Sequence, residues 1–286
     1  MFIIYYIKLL FLTAFQDSII FKPDPDGIKP LKNPIEYGLS ETSTVSINIT
    51  DEEKIDLWVR QPDNKEKGLM FIYFHGNTGH IADVGKPESE DVDRNYRIKF
   101  LKQISKQGHG FTAISHRGFG LGSGEPSEEN FAEDIKFLAD FLQQEKNLKL
   151  VLVGESLGAS SALKLNEELL NKNIIAESVI LIAPFVSIMK KIEDLHPEIL
   201  RFDVESRLRH KFDNKKIISQ TQYKKNLILA HPTEDETTPI YHSEELLEIG
   251  KQNNLNIKLE RLEGSDHITW DPKDILEIVE DNIARN

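Results

Sequence analysis

Six short apolar runs, at residues 69–74, 111–115, 148–153, 179–183, 227–230 and 257–262, limit what this chain can fold into. The first, Leu69-Met70-Phe71-Ile72-Tyr73-Phe74, is continuous rather than alternating, as expected of a strand covered on both faces. Between them lie stretches with apolar residues at helical spacing, clearest at 96–107, 127–144, 157–171, 243–252 and 274–283. Strands alternating with helices predict βαβ units: the α/β class, a mostly parallel central sheet with helices on both faces. Two earlier stretches, 44–50 and 54–60, read as antiparallel strands opening the sheet. Acidic residues after Ser127 and after Ser243, and the pair Asp271-Pro272, mark helix starts. No linker and no internal repeat divides the chain. It therefore reads as one domain over residues 21–286, with a small cap-like insertion around 184–225.

Composition excludes several functions. The 286 residues carry a formal net charge of −12, so a phosphate backbone would need a strong local basic patch. The basic clusters Lys190-Lys191, Lys215-Lys216 and Lys224-Lys225 are short and scattered, and no nucleic-acid partner is expected. The absence of cysteine removes disulfides, a thiolate nucleophile and thiolate metal sites. No HExxH, GxxxxGK[ST] or EF-hand pattern occurs, and no metal is expected.

Residues 1–15 are almost wholly apolar, with Lys8 and Thr13 the exceptions. Fifteen helical residues reach only about 22 Å against a hydrocarbon core of about 30 Å. No basic residue precedes the run and no clear cleavage site follows it, which argues against a secretory signal. Two readings stay open. One is membrane association through residues 1–20, as an interfacial helix or the remnant of an anchor, on an otherwise cytoplasmic protein. The other is a buried first element of the domain.

In parallel sheets ligands bind beyond the carboxyl ends of the strands. One such end carries Gly154-Glu155-Ser156-Leu157-Gly158, a G-x-S-x-G between a strand and a helix. In a nucleophile elbow the serine takes φ > 0, and its neighbours must be small enough to clear the adjoining strand and helix. A plain glycine-rich turn would look similar. A serine hydroxyl needs a base and a group that orients the base. Downstream strand ends supply both: Asp235 follows the run 227–230, and His267 follows 257–262. Glu234, Glu236 and Asp266 are neighbouring acids, of which Asp266 is poorly placed because it adjoins the histidine. Of the other histidines, His80, His109, His196, His210 and His242 read as surface or helix residues. His75, His116 and His231 stand at strand ends and are expected to shape the site. Oxyanion donors are expected from the backbone N–H of Leu157 and of Asn77, with Gly76 allowing close approach and His75-Gly76 contacting substrate.

These residues together resemble the α/β-hydrolase superfamily from about Gln16 to the C-terminus. The stretches that carry the likeness are Phe74-His75-Gly76-Asn77, His116-Arg117-Gly118-Phe119-Gly120, Gly124-Glu125-Pro126-Ser127, GESLG, His-x-x-x-Asp-x-x-x-Pro from His231 to Pro239, and Gly264-x-x-His267. The resemblance is greatest to the branch holding membrane-anchored protein depalmitoylases and related bacterial esterase-like hydrolases. It also implies an N-terminal anchor followed by a Gln-x-x-x-Ile segment, here Gln16 to Ile20. Two departures stand out. His116 replaces a usual tyrosine, and Pro232 replaces a usual glycine and stiffens the turn that leads to Asp235.

The expected activity is hydrolysis of a small-molecule, lipid or protein acyl ester or thioester, with a catalytic set of Ser156, Asp235 and His267 and no cofactor. A serine aminopeptidase-like peptidase and a non-catalytic binding protein on the same fold are the alternatives. Charged residues in 184–225 suggest a modest cap over a fairly open site. Oligomeric state is not legible.

Overall fold

The computed structural model describes residues 2–85, 95–145, 148–200 and 202–283. Met1 of the N-terminal segment and residue 201 of the insertion lie outside them. The chain begins with two helices, α1 (Phe2–Ala14) and α2 (Gln16–Ile20), and then enters a sheet through β1 (Ser43–Asn48), β2 (Lys54–Arg60) and β3 (Leu69–Phe74). From there α3 (Tyr96–Lys106), β4 (Gly110–Ser115), α4 (Glu128–Gln144), β5 (Lys149–Glu155), α5 (Leu157–Asn171) and β6 (Ser178–Ile182) alternate. Next come α6 (Ile188–Leu195), two short 3-10 turns, α7 (Asn214–Gln220) and β7 (Asn226–Pro232). The chain closes with α8 (Tyr241–Gln252), β8 (Ile257–Leu262) and α9 (Pro272–Ile283).

The eight strands form one sheet in the order β1-β2-β4-β3-β5-β6-β7-β8. Only β1–β2 and β2–β4 pair antiparallel. The central strand β3 has β4 on one side and β5 on the other, so consecutive crossovers leave it in opposite directions. That reversal opens a crevice above the carboxyl ends of β3 and β5, where an open α/β sheet accepts its ligand.

The continuous apolar runs follow from covering both faces. Successive side chains of a strand point to opposite sides. In β3, Ile72 and Phe74 enter one cluster with Leu152, Leu163 and Leu229. Phe71 and Tyr73 enter the other with Val153, Phe100 and Trp270. Each such fully buried side chain is worth about 1.5–3 kcal/mol relative to exposure, so a polar residue anywhere in the run would be costly.

Helix starts agree with the sequence at two places and differ at one. Ser127 caps α4, its Oγ accepting the Asn130 N–H at 3.0 Å, and Pro272 is the first residue of α9. Ser127→Ala is expected to lower stability by about 1 kcal/mol, read as a shift in the urea midpoint at unchanged slope. Ser243, expected as a helix start, lies inside α8, which begins at Tyr241. Its buried hydroxyl is used instead by His231 at 2.7 Å.

The N-terminal helix packs on the protein. Leu9 is fully buried in a cluster with Ile199, Val204 and Leu208, and Lys8 pairs with Glu198. The Gln16 side chain accepts the Arg209 N–H at 2.7 Å and donates to the Arg207 carbonyl at 3.3 Å. Asp17 receives Arg209 and His210, each at 2.6 Å. The opposite side of α1 leaves Ile4, Ile7 and Phe11 more than half exposed. Among the described residues no helix is long and apolar enough to cross a membrane.

Candidate active site

Ser156 stands at the turn between β5 and α5 with φ 51° and ψ −112°. An L-residue rarely holds such a conformation, and it costs of order 1–3 kcal/mol. The turn is over-determined: the Ser156 N–H donates to the Ile182 carbonyl at 2.8 Å, while α5 is held down on β3. Gly158 makes that packing fit, since a Cβ there would lie 2.3 Å from the Phe74 carbonyl oxygen. As the first residue of α5, Leu157 has no intrahelical acceptor for its N–H. The helix dipole adds positive potential at that point.

The loop after β3 supplies a second amide. The Asn77 N–H donates to no acceptor among the described residues. Its peptide is fixed from the N-terminal side: Lys22 N–H donates to the Asn77 carbonyl at 2.9 Å, and Asn77 Nδ2 donates to the Ile20 carbonyl at 2.8 Å. Gly76 runs so close to the elbow that a Cβ would stand 2.9 Å from Glu155 Oε1 and 3.5 Å from Ser156 Cβ. His75 is placed otherwise than expected for a substrate contact. It is absent from the cavity wall, its ring buried against Phe119 and its Nδ1–H donating to the Gly76 carbonyl at 2.7 Å. Burial, with the Arg97 charge nearby, holds its pKa well below the usual histidine range.

His267 Nδ1 donates to Asp235 Oδ2 at 2.6 Å, which leaves Nε2 as the basic nitrogen. The Asp235 side chain is fully buried, and its other oxygen accepts the Thr238 N–H at 2.7 Å. Backbone bonds clamp the two loops together, Thr233 N–H to Leu262 O at 3.1 Å and Glu234 N–H to Ser265 O at 3.0 Å. Asp266 serves its own loop, where its Oδ1 accepts the His267 N–H at 2.5 Å. Pro232 ends β7, and the chain beyond it is braced by the buried His231 of the same strand. His231 Nε2–H donates to the Thr238 carbonyl at 2.7 Å while Nδ1 accepts from Ser243 Oγ. Burial lowers the His231 pKa, so the brace is a neutral imidazole.

Ser156, His267, Gly76, Asn77 and Leu157 all line one cavity of about 830 Å³. No hydrogen bond joins Ser156 Oγ to His267 among the described residues. Such bonds are often long until substrate closes the site. The cavity's apolar walls come from α1, α6 and the 3-10 turns between α6 and α7, because α1 covers the insertion rather than leaving the body.

A buried ionic group beneath the elbow was not legible in the sequence. Glu155 and Arg97 are each about 98% enclosed and pair at 2.9 Å. Tyr73 donates to Glu155 Oε2 at 2.6 Å, and Tyr96 donates to Oε1. Arg97 Nη1 reaches the carbonyls of Thr78 at 2.8 Å and His80 at 2.9 Å, just past Asn77. Burial pushes the Glu155 carboxyl up, but Arg97 and the tyrosine hydroxyls outweigh it and hold its pKa at about 2. The only sequence trace is that Glu155 is the variable residue of G-x-S-x-G. Its partner lies 58 positions away, in a helix that reads as ordinary.

Other histidines are structural. His116 hydrogen-bonds Asp134 Oδ2 at 3.0 Å and Ser161 Oγ at 3.1 Å, and stacks on Phe131. Of the histidines expected on the surface or in helices, His242 is buried within α8, while His80 and His210 are buried outside any helix.

Comparison with known proteins agrees with this architecture. The model of the family described as "Serine aminopeptidase, S33" matches residues 94–262, more than half of the chain. The chain is 25% identical over 196 residues to "Protein ABHD12B" of Homo sapiens, covering 64% of this chain and 50% of that protein. It is 25% identical over 185 residues to "Lysophosphatidylserine lipase ABHD12" of Danio rerio, covering 58% and 45%. The match thus spans about half the length of these curated relatives. Among solved structures, an alpha-beta hydrolase from Vibrio vulnificus superposes with a TM-score of 0.66 at 14% identity, covering 92% of this chain and 97% of that one. The fold is that of the α/β-hydrolases.

Proposed function

We propose that this chain, which belongs to the serine aminopeptidase S33 family of α/β-hydrolases, cleaves an acyl ester or thioester through a serine-bound acyl intermediate. The observation that carries the reading is that His267, paired with Asp235 at 2.6 Å, lines the cavity that also holds the strained Ser156. In this reading Ser156 Oγ attacks the acyl carbonyl carbon. His267 Nε2 takes the hydroxyl proton, and Asp235 stabilises the resulting imidazolium. The N–H groups of Asn77 and Leu157 hold the developing oxyanion, each worth about 3–4 kcal/mol of barrier where such a donor has been removed. His267 then protonates the leaving group. A water, deprotonated by His267, releases the acid and restores Ser156.

The relatives' lipase name and the apolar cavity walls support an acyl chain as the group bound. The exposed apolar side of α1 supports shallow contact with a lipid surface. A serine aminopeptidase is the second reading. It is favoured by the family's description and by Glu236 and Asp266 on the cavity wall, carboxylates suited to a free amino terminus.

A fluorophosphonate probe tests the shared chemistry. It is expected to label the full chain stoichiometrically, with the adduct on the peptide holding Ser156. In His267→Ala labelling should slow by about 10³-fold or more. A folded parent that stays unlabelled, or is labelled elsewhere, overturns the proposal and moves a binding role to the front. Parallel assays with acyl esters and aminoacyl anilides separate the two substrate readings.

A further inference from the structure

We infer that helix α1 is a wall of the acyl-chain pocket and sets which chain lengths this site accepts, an inference that rests on the serine-hydrolase reading above. The apolar segment at the start of the chain therefore does a job in substrate selection, independent of any contact with a membrane.

Three observations converge. First, α1 is anchored to the insertion. Leu9 is completely buried among Ile199, Val204 and Leu208, Lys8 pairs with Glu198, and Gln16 and Asp17 bind residues 207–210. A helix held at mid-length by a buried leucine and an ion pair, and just past its C-terminal end by the polar contacts of Gln16 and Asp17, has a defined place. Second, the cavity that holds Ser156 and His267 is lined from α1 by Leu9, Leu12 and Thr13, and from α6 by Ile188, Ile192 and Leu195. These side chains offer no charge and few hydrogen bonds, so what they recognise is aliphatic. Third, three of the charged groups that line the same cavity are committed. Arg97 and Glu155 neutralise each other, and the Lys191 ammonium is spent on Thr237 O and on Thr238 Oγ1 at 3.2 Å. Burial lowers the Lys191 pKa against the pull of Asp235 and Asp194.

A cavity of about 830 Å³ that is lined by Ser156 together with branched aliphatic residues fits a hydrocarbon chain attached to the scissile carbonyl. An acetyl group would leave most of those walls uncovered. Each methylene that reaches them gains about 0.8 kcal/mol when buried, roughly a fourfold change in binding per carbon. The chain-length profile should therefore rise until the hydrocarbon meets α1.

The test uses two fluorophosphonates that differ only in alkyl chain, ethyl and dodecyl, on the full chain, Leu12→Trp and Ile192→Trp. Indole bulk at either position fills the pocket from a different helix. The parent should react with the dodecyl probe at least tenfold faster than with the ethyl probe. Both variants should lose that preference by tenfold or more while the ethyl probe still labels the peptide holding Ser156. Two variants on separate elements guard against one of them failing to fold, and retained ethyl labelling at Ser156 certifies an intact elbow. Equal reactivity of the parent with both probes overturns the inference, as does a dodecyl preference that survives in the folded variants. A parent inert to both probes strikes down the serine-hydrolase reading itself, which is a distinct result.

Discussion

Replacing Ser156 with alanine is expected to lower kcat on an acyl ester by about 10⁴–10⁶-fold, and His267→Ala by a similar factor. The two losses should not add, because the groups act as one unit: without the hydroxyl there is nothing for the imidazole to deprotonate. Asp235→Asn is expected to cost about 10⁴-fold. Its amide would present a donor to His267 Nδ1, now 2.6 Å from Asp235 Oδ2, and so favour the wrong tautomer. All three variants should melt near the parent, since Ser156 and His267 are only half-buried. Asp235→Asn can still accept the Thr238 N–H through its amide oxygen. Residual activity should remain above the uncatalysed rate, because the Asn77 and Leu157 amides are backbone groups untouched by these changes. Loss of a single order of magnitude in Ser156→Ala would show that another group does the chemistry.

Arg97→Met is expected to be the most destabilising single change in the site, costing about 3–5 kcal/mol, because it leaves a carboxylate buried without its partner. In a chain of this size that corresponds to a melting temperature lower by roughly 10 °C. The pH dependence identifies the cause. In the parent, Glu155 titrates at about 2 instead of its ordinary 4.5, so its stabilisation is complete above about 4.5 and fades as pH falls towards 2. In Arg97→Met burial is opposed only by the Tyr73 and Tyr96 hydroxyls, and the carboxyl's pKa rises. The variant should therefore recover stability relative to the parent as acid neutralises Glu155. Adding Glu155→Gln to Arg97→Met should restore part of the loss at neutral pH. Activity of Arg97→Met should fall as well, since the guanidinium holds the carbonyls of Thr78 and His80 beside the Asn77 amide. A deficit that is the same at pH 4 and pH 8 would assign Arg97 a packing role only.

How far the fold was legible depended on whether a signal was local. Period, turn residues and caps act within a few positions. The run 69–74 therefore emerged as β3 with its predicted ends, 157–171 emerged as α5, and Ser127 capped α4. Ser243 misled for the same reason. A serine followed by two glutamates looks like a helix start, yet its hydroxyl is claimed by His231, a partner from another strand end. The candidate site was legible as a set of strand ends in chain order. What brings Asp235 to His267 is the β7–β8 pairing, with its register from Leu227–Ile257 to Pro232–Leu262.

The alternation of covered strands with amphipathic helices followed from residue order alone, because each element must bury its own apolar surface whatever its neighbours are. So did the elbow, whose backbone demands small residues beside a serine. Which charges become buried could not follow. Arg97 and Glu155 are unremarkable until the fold removes water from both and pairs them with each other. The place of α1 was also undecided, since its thirteen residues are apolar nearly all round and carry no periodic mark of an inner face. Only the tertiary structure supplies the insertion against which Leu9 is buried, and with it the choice of which side of that helix faces the cavity.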